Sequence, residues 1–229
     1  MSGSSDPARR VVADSLGVGV ATGAYGISFG ALGTASGLDV LQTCVLSLLA
    51  FTGASQFAFV GVVAAGGAPV AGALTSVLLG TRNLFYGLSL ASLLRLRGVR
   101  RLLGAHLVID ESTAMAVAQD DPRIARLGFW WTGASIFVLW NLSTFLGALA
   151  GTAIGDPRTY GLDAAVGAAF LGLLWPRLST VAGRVVAVVG AAVATGLVPL
   201  SPAGVPIMVG GAVAVLVGMA VRPGRSGTT

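Results

Sequence analysis

Long apolar segments dominate this chain, and one charged side chain stands in the middle of one of them. Between Asp39 and Arg95 the only charged residue is Arg82. It lies within residues 69–94, a run otherwise apolar and longer than the ~20 residues that cross a bilayer. A charge near the bilayer centre costs roughly 2.5–3.5 kcal/mol on insertion scales. Arg82 therefore needs a compensating partner, and a residue of this kind usually has a function inside the membrane.

The composition supports a chain with several membrane spans. The 229 residues are 55% hydrophobic and 10% charged, whereas a soluble domain carries about 25% charged residues. The 34 glycines suit close helix packing in lipid. We predict an all-α integral membrane protein, a polytopic helical bundle with about five to seven transmembrane spans and one or two broken or re-entrant Gly-rich segments. A single membrane domain, 15–221, is expected between polar tails at 1–14 and 222–229.

The apolar runs locate the predicted spans. The strongest candidates are 42–65, 69–94 and 128–154. Shorter or more broken candidates are 15–36, 160–175, 179–198 and 204–221. Segment 104–118 is only partly apolar, because it contains His106, Asp110 and Glu111.

The arginines constrain how these segments cross, since short cytoplasmic loops tend to hold the positive charge. If 15–36 crosses fully from a cytoplasmic N-terminus, the arginine-rich loop after 69–94 faces outside. Two arrangements avoid this: either 15–36 and 104–118 each dip in and return, or the N-terminus lies outside and 15–36 crosses fully. We therefore predict that 15–36 is re-entrant or is entered from outside. In the re-entrant arrangement the following arginines share one side: Arg9, Arg10, Arg95, Arg97, Arg100, Arg101, Arg123, Arg126, Arg177, Arg184, Arg222 and Arg225.

Three ionisable residues are candidate partners for Arg82. A guanidinium matches a carboxylate in shape and charge, and that carboxylate belongs either to the protein or to a substrate. Asp110 and Glu111 are the protein candidates, and His106 shares a face with Asp110 if that stretch is helical. Such a group could relay protons. The alternative is that 104–118 is a surface helix with ordinary solvated acids, and that Arg82 only holds a helix pair together.

Polar residues also interrupt the neighbouring spans. Gly53-Ala54-Ser55-Gln56 lies at the midpoint of 42–65, where small residues allow a local break and freed backbone groups can bind the ends of a zwitterion. Gln56 is either interhelical glue or a group that orients a ligand. Asn83 and Tyr86 lie next to Arg82, and Asn141 is a second mid-span polar site with a structural role expected.

Several catalytic patterns are missing from the sequence. It has no phosphate-binding G-x-x-x-x-G-K-[ST] loop, no Cys/His set at metal-ligand spacing and no hydrolytic nucleophile motif. We predict no enzymatic activity, no metal and no cofactor.

At these residues the chain resembles the AzlC family, the larger subunits of two-component branched-chain amino-acid exporters. The resemblance rests on GISFGALGTASGL (26–38), LLAFTGASQFAFVGVVAAG (48–66), LLGTRNLFYGLSLASLLR (78–95) and the Asp110-Glu111 pair. Asn83 departs from the His that often follows the arginine in the family. The positions that match the family pattern are Gly30, Gly53, Gln56, Arg82, Tyr86, Asp110 and Glu111.

The resemblance implies a secondary exporter in the cytoplasmic membrane. The expected cargo is a small apolar amino acid such as valine, leucine, isoleucine or methionine, driven by protons, and the expected partner is a short AzlD-like membrane subunit. Substrate binding is expected at Arg82, Gln56, Asn83, Tyr86, Gly53, Ser55 and Phe29, with Phe57 and Phe85 beside the cargo side chain. Proton coupling is expected at Asp110, Glu111 and His106. A passive channel for small zwitterionic solutes and a structural membrane subunit are the alternatives.

Overall fold

Helices form the protein throughout the part of the chain that the computed structural model describes, residues 6–154, 171 and 174–221. The tail 222–229 lies outside it, and so does the predicted span 160–175 except for residues 171, 174 and 175. Short 3₁₀ turns occupy Trp175–Ser179 and Val198–Leu200. The α-helices are α1 Pro7–Ala24, α2 Gly26–Ala35, α3 Val40–Leu49, α4 Ala54–Ala64, α5 Pro69–Leu94, α6 Val99–His106, α7 Asp110–Val117, α8 Pro122–Ile154, α9 Val181–Leu197 and α10 Val205–Ala220.

Four of the described helical segments are long and apolar enough to cross a membrane: Pro7–Ala35, Pro69–Leu94, Pro122–Ala153 and Val181–Leu200. The first joins α1 and α2 into 29 residues, interrupted only at Tyr25, whose φ and ψ stay helical. Local signals fix where helices begin. Asp6 caps α1 ahead of a proline at its first position, and Asp39 forms a capping box with Gln42 at the start of α3.

Helices α1–α2 and α8 lie side by side and run in the same direction. Gly19 faces Ser135, Gly23 faces Leu139 and Gly30 faces Thr144, so residue numbers rise together along both. Gly147 of α8 in turn meets the backbone of Ile27. A Cβ atom at these positions would collide with the opposite helix, and small residues let helix backbones approach in this way in a membrane. We call this contact the glycine seam.

Helix α5 runs opposite to α1 and α8. Arg126 near the start of α8 donates from Nε to the carbonyl oxygen of Leu93, 3.4 Å away, near the end of α5. Gly128 also lies beside Val11 of α1. The beginnings of α1 and α8 and the end of α5 therefore share one end of the molecule, which we call the arginine end. It carries Arg9, Arg10, Arg95, Arg97, Arg100, Arg101, Arg123 and Arg126.

Helices α3 and α4 form a hairpin that enters from the end opposite the arginine end. Thr43 of α3 packs on Gly33 near the end of α2. The turn between α3 and α4 lies deeper in the bundle, where the ring centroids of Phe51 and of Phe137 on α8 lie 5.1 Å apart. Helix α4 then returns, with Phe59 against Gly72 at the start of α5. Residues 50–53 are the tip of this first hairpin.

Helices α6 and α7 form a second hairpin that enters from the arginine end. Gly104 of α6 lies beside Leu96, and Leu107 then reaches Gly133 of α8. Helix α7 returns, placing Met115 on Gly128. Residues 107–109 are the tip of this second hairpin, and it meets the first tip in the middle of the bundle, where Phe51 and His106 have ring centroids 6.1 Å apart.

The last two helices pack on each other, and within the described residues α10 lies along α5, with its start also beside Val62 of α4. Antiparallel contacts join α9 and α10, with Gly190 against Ala214 and Gly218 against Val186. Gly211 approaches Leu78 and Gly204 approaches Ala71, so α10 runs parallel to α5. Helix α9 consequently begins at the arginine end, where it carries Arg184.

The structure corrects the predicted crossing pattern. Segment 15–36 is part of a helical segment long enough to cross and is not a hairpin, so the re-entrant prediction for it was wrong. Its beginning lies at the same end as the arginine-rich loop after α5, so full crossings by both 15–36 and 42–65 were wrong as well. The side of the membrane on which this end lies stays a prediction. Segment 42–65, predicted as a full span, is instead a re-entrant hairpin, whereas the predicted dip at 104–118 is confirmed. Of the twelve arginines predicted to share one side, nine lie at the arginine end: Arg9, Arg10, Arg95, Arg97, Arg100, Arg101, Arg123, Arg126 and Arg184. The side chain of Arg177 and residues Arg158, Arg222 and Arg225 lie outside the described part.

Candidate functional site

Arg82 connects the two hairpin tips. From the middle of α5, its Nη1 atom lies 2.7 Å from Oδ2 of Asp110, the first residue after the second tip. Its Nη2 atom donates to the carbonyl oxygen of Thr52 in the first tip, 3.4 Å away. The side chains of Arg82 and Asp110 remain 30% and 23% exposed, so the ion pair is only partly covered by the chain itself.

The first tip supplies that carbonyl because the helix is broken there. Helix α3 ends at Leu49, and Gly53 adopts φ +60 before α4 begins. An L residue with a side chain rarely adopts this conformation. The predicted break at Gly53 is therefore confirmed, and it places the oxygen of Thr52 toward Arg82. Sequence reasoning missed Thr52, since any residue type presents a carbonyl and only its place before Gly53 marks it.

The side chain of Gln56 bonds the backbone at the break. Its side chain is fully buried. Oε1 accepts the N–H of Gly53 at 3.1 Å, and Nε2 donates to the carbonyl oxygen of Leu46 at 3.5 Å. One end of the amide thus bonds the N–H of Gly53 at the break, and the other makes a second bond to the Leu46 carbonyl, which already accepts the N–H of Ala50. These bonds correspond to the structural role that the sequence left open.

The two acidic residues open α7. Asp110 and Glu111 occupy its first turn, where negative charge is favourable beside the helix N-terminus. Asp110 makes the ion pair with Arg82. No ion pair of Glu111 occurs within the described part of the chain.

His106 lies near this pair but does not join it. It ends α6, and the break at 107–109 removes the continuous helix that would align it with Asp110. The imidazole is exposed and packs against the rings of Phe51 and Phe137. Among the described ion pairs, none involves His106.

Some buried polar atoms of Arg82 and of residues near it in the bundle have no hydrogen-bond partner in the part of the chain that the structure describes. Within the described residues, Ser55 Oγ, Asn83 Oδ1 and Arg82 Nε are buried without a hydrogen-bond partner. Ser55 lies in the first turn of α4, whose unpaired backbone N–H groups favour an anion. Because a buried polar atom without a partner costs roughly 1–3 kcal/mol, these atoms are suited to groups that a bound solute would supply.

The aromatic residues predicted around the cargo do not form one pocket. Phe29 is fully buried and packs with Phe57 and Trp140. Phe85 is 64% exposed on the outer face of α5. Tyr86 packs against the buried cluster that contains Leu90 and Leu94. The structure brings Arg82 and Asp110 together and sets Ser55 against Ser76 and Gly80, earlier on α5, but it places Phe29 and Phe85 apart.

Among the described residues, no group of three or more His, Cys, Asp or Glu side chains is placed to hold a metal ion. The site is a guanidinium that already binds one carboxylate and has a helix N-terminus beside it. Such a group can exchange one carboxylate for another.

The apolar helices, the two hairpins and the ion pair at their meeting point define a multi-pass helical membrane protein. The chain belongs to the AzlC family, whose sequence model, described as AzlC protein, matches residues 17–154. The chain is similar to the inner membrane protein YgaZ of Escherichia coli (strain K12), with 30% identity over 62% of this chain and 60% of that protein.

A membrane protein of Haemophilus influenzae with no described role is 25% identical over 56% of this chain and 54% of its own length. The chain therefore spans less than two thirds of these relatives. No solved structure matches the chain.

Proposed function

We propose that this chain is the larger subunit of a secondary exporter that moves branched-chain or similar small apolar amino acids out of the cell across the cytoplasmic membrane. The observation that carries the proposal is the Arg82–Asp110 ion pair at the meeting point of two hairpins that enter from opposite ends. Transporters commonly bind substrate at mid-depth between discontinuous helices, where half-helix N-termini face an anionic group.

The proposed cycle is an exchange of carboxylates at Arg82. The substrate carboxylate takes the place of Asp110 on the guanidinium and accepts hydrogen bonds from the first turn of α4 and from Ser55. Asp110 and Glu111 then receive the substrate ammonium group or a proton. Asn83 and Tyr86 flank Arg82 along α5 and complete the polar surface. A short AzlD-like membrane subunit completes the exporter.

Efflux of radiolabelled valine and leucine from proteoliposomes that contain this chain with such a partner tests the proposal. The Arg82→Gln variant should abolish efflux, because the neutral amide loses the charge that attracts the carboxylate. Arg82→Lys should reduce efflux by at least about tenfold, since an ammonium lacks the planar fork that reaches two oxygens at once.

Arg97→Gln is the matched control, because Arg97 is an exposed arginine at the arginine end, and it should retain efflux. Normal efflux from folded Arg82→Gln protein would remove Arg82 from the site. An imposed proton gradient should drive accumulation, whereas equal rates with and without the gradient would support the passive channel. If Arg82→Gln separates the partner subunit without affecting the purified chain, the structural-subunit alternative is supported.

A further inference from the structure

The two hairpin tips are closed by the same hydrogen-bonding arrangement. In the first tip, Gln56 is the third residue of α4 and accepts the N–H of Gly53, the residue that precedes the helix. The same side chain donates back to the carbonyl oxygen of Leu46 in the preceding helix. One side chain thus bonds backbone groups on both sides of the break.

Ser112 repeats this arrangement in the second tip. It is the third residue of α7, and its Oγ accepts the N–H of Ile109, the residue that precedes the helix, at 3.1 Å. The hydroxyl donates back to the carbonyl oxygen of Leu107, 2.6 Å away. Ser112 is fully buried, and Ile109 is 6% exposed.

The bonds of Ser112 determine where Asp110 lies. Asp110 stands between Ile109 and Ser112 in the chain, so a side chain that ties these two residues together fixes the first turn of α7. That turn presents Asp110 to Arg82. Without the hydroxyl, the N–H of Ile109 would be left buried without its bond, which favours opening of the tip.

We propose that Ser112 is a positioning residue of the site, which holds Asp110 against Arg82 as Gln56 holds the Thr52 carbonyl. The expected effect of Ser112 on transport rests on the function proposed above. Its expected effect on the conformation of the second tip does not. The tip can therefore be tested in a protein that moves no amino acid.

Thiol labelling directly measures how exposed the second tip becomes. The chain has one cysteine, Cys44, so Cys44→Ala gives a background in which Ile109→Cys is the only target for N-ethylmaleimide. Ser112→Ala should increase the labelling rate at position 109 by about tenfold, as an opened tip exposes the thiol. Ser112→Thr keeps the hydroxyl and should label at the original rate.

Ser15→Ala is the matched control. Ser15 is equally buried and is bonded to Gly128 and Thr132, but it lies between α1 and α8, away from the tips. It should leave the labelling rate at 109 unchanged. An unchanged rate in Ser112→Ala, or an equal rise in Ser15→Ala, would overturn the positioning role.

Two further measurements separate this proposal from the proposed function. In proteoliposomes Ser112→Ala should increase the KM for valine, and Ser112→Thr should restore it, whereas Ser15→Ala should leave KM unchanged. If the unmodified protein moves no amino acid, the proposed function fails and labelling still decides the role of Ser112. Should Ser112→Ala not reach the membrane, hydrogen exchange of the unmodified protein tests the bond, because rapid exchange at the Ile109 amide would contradict it.

Discussion

Arg82 holds two oxygens that belong to different hairpins. The carboxylate of Asp110 and the carbonyl of Thr52 both lie within reach of its guanidinium, and a planar fork suits two acceptors at once. The ion pair does not by itself make a bundle stable, because the loss of hydration offsets much of the attraction. Removing only one partner is more costly, since the remaining charge is then left without compensation.

This asymmetry predicts an order of stabilities. Asp110→Asn leaves the Arg82 charge unpaired and should lower the melting temperature, with a loss of at most about 3–5 kcal/mol, the range for one broken buried pair. The double variant Arg82→Gln/Asp110→Asn should recover much of that loss. Thermal unfolding in detergent measures both, with Asp14→Asn at an exposed position of α1 as the control. A double variant less stable than Asp110→Asn would contradict the argument.

At the scale of helices, the sequence predicted the apolar segments and the dip at 104–118, but it was wrong about 15–36 and 42–65. An apolar run such as 42–65 has the same composition whether it crosses once or turns at its middle, and only Gly53 marked the turn. The hydrogen bonds of Gln56 depend on the carbonyl of Leu46, which no residue type reveals. Likewise, the pairing of Arg82 with Asp110 was one of several open alternatives, because it requires the two tips to meet.

The glycines of 15–36 misled the prediction for a physical reason. Glycine weakens an isolated helix, so this segment was expected to be discontinuous. In the structure several of these glycines instead lie in the glycine seam, where Gly19, Gly23 and Gly30 allow contact with α8. Close packing with α8 compensates for their low helix propensity.

The seam makes a matched pair of glycine substitutions informative. Gly30→Ala would place a Cβ against the backbone of Thr144 and Ala148, so it should force α2 and α8 apart and lower the melting temperature. Gly17→Ala has no atom within 4 Å of its Cβ and should leave stability unchanged or raise it by up to ~1 kcal/mol through helix propensity. Thermal unfolding of the two variants compares them. Equal melting temperatures would show that the seam is not a close contact.

For the whole molecule, the two hairpins explain how several helices can cross the membrane while the arginine-rich loops all stay at one end. Helix α1–α2 crosses away from the arginine end, the first hairpin returns to the side it came from, and α5 crosses back. The second hairpin again returns to its own side before α8 crosses. Each hairpin adds no net crossing, so the arginine-rich loops stay together. Because short loops rich in arginine remain in the cytoplasm, the arginine end is expected to face it.

Cysteine labelling from each side tests this arrangement as a whole. In a Cys44→Ala background, Asp6→Cys, Arg97→Cys and Asp120→Cys lie at exposed positions of the arginine end, and Ala68→Cys lies at the opposite end. In cells whose outer envelope is permeabilised and whose cytoplasmic membrane is intact, a membrane-impermeant maleimide should label only Ala68→Cys, since the other three positions are expected to face the cytoplasm. All four should label after the membrane is disrupted, which controls for thiol reactivity. If Asp6→Cys and Arg97→Cys react from different sides, the chain crosses an odd number of times between them. The arrangement of a full crossing by α1–α2, a re-entrant hairpin at 40–64 and a full crossing by α5 is then wrong.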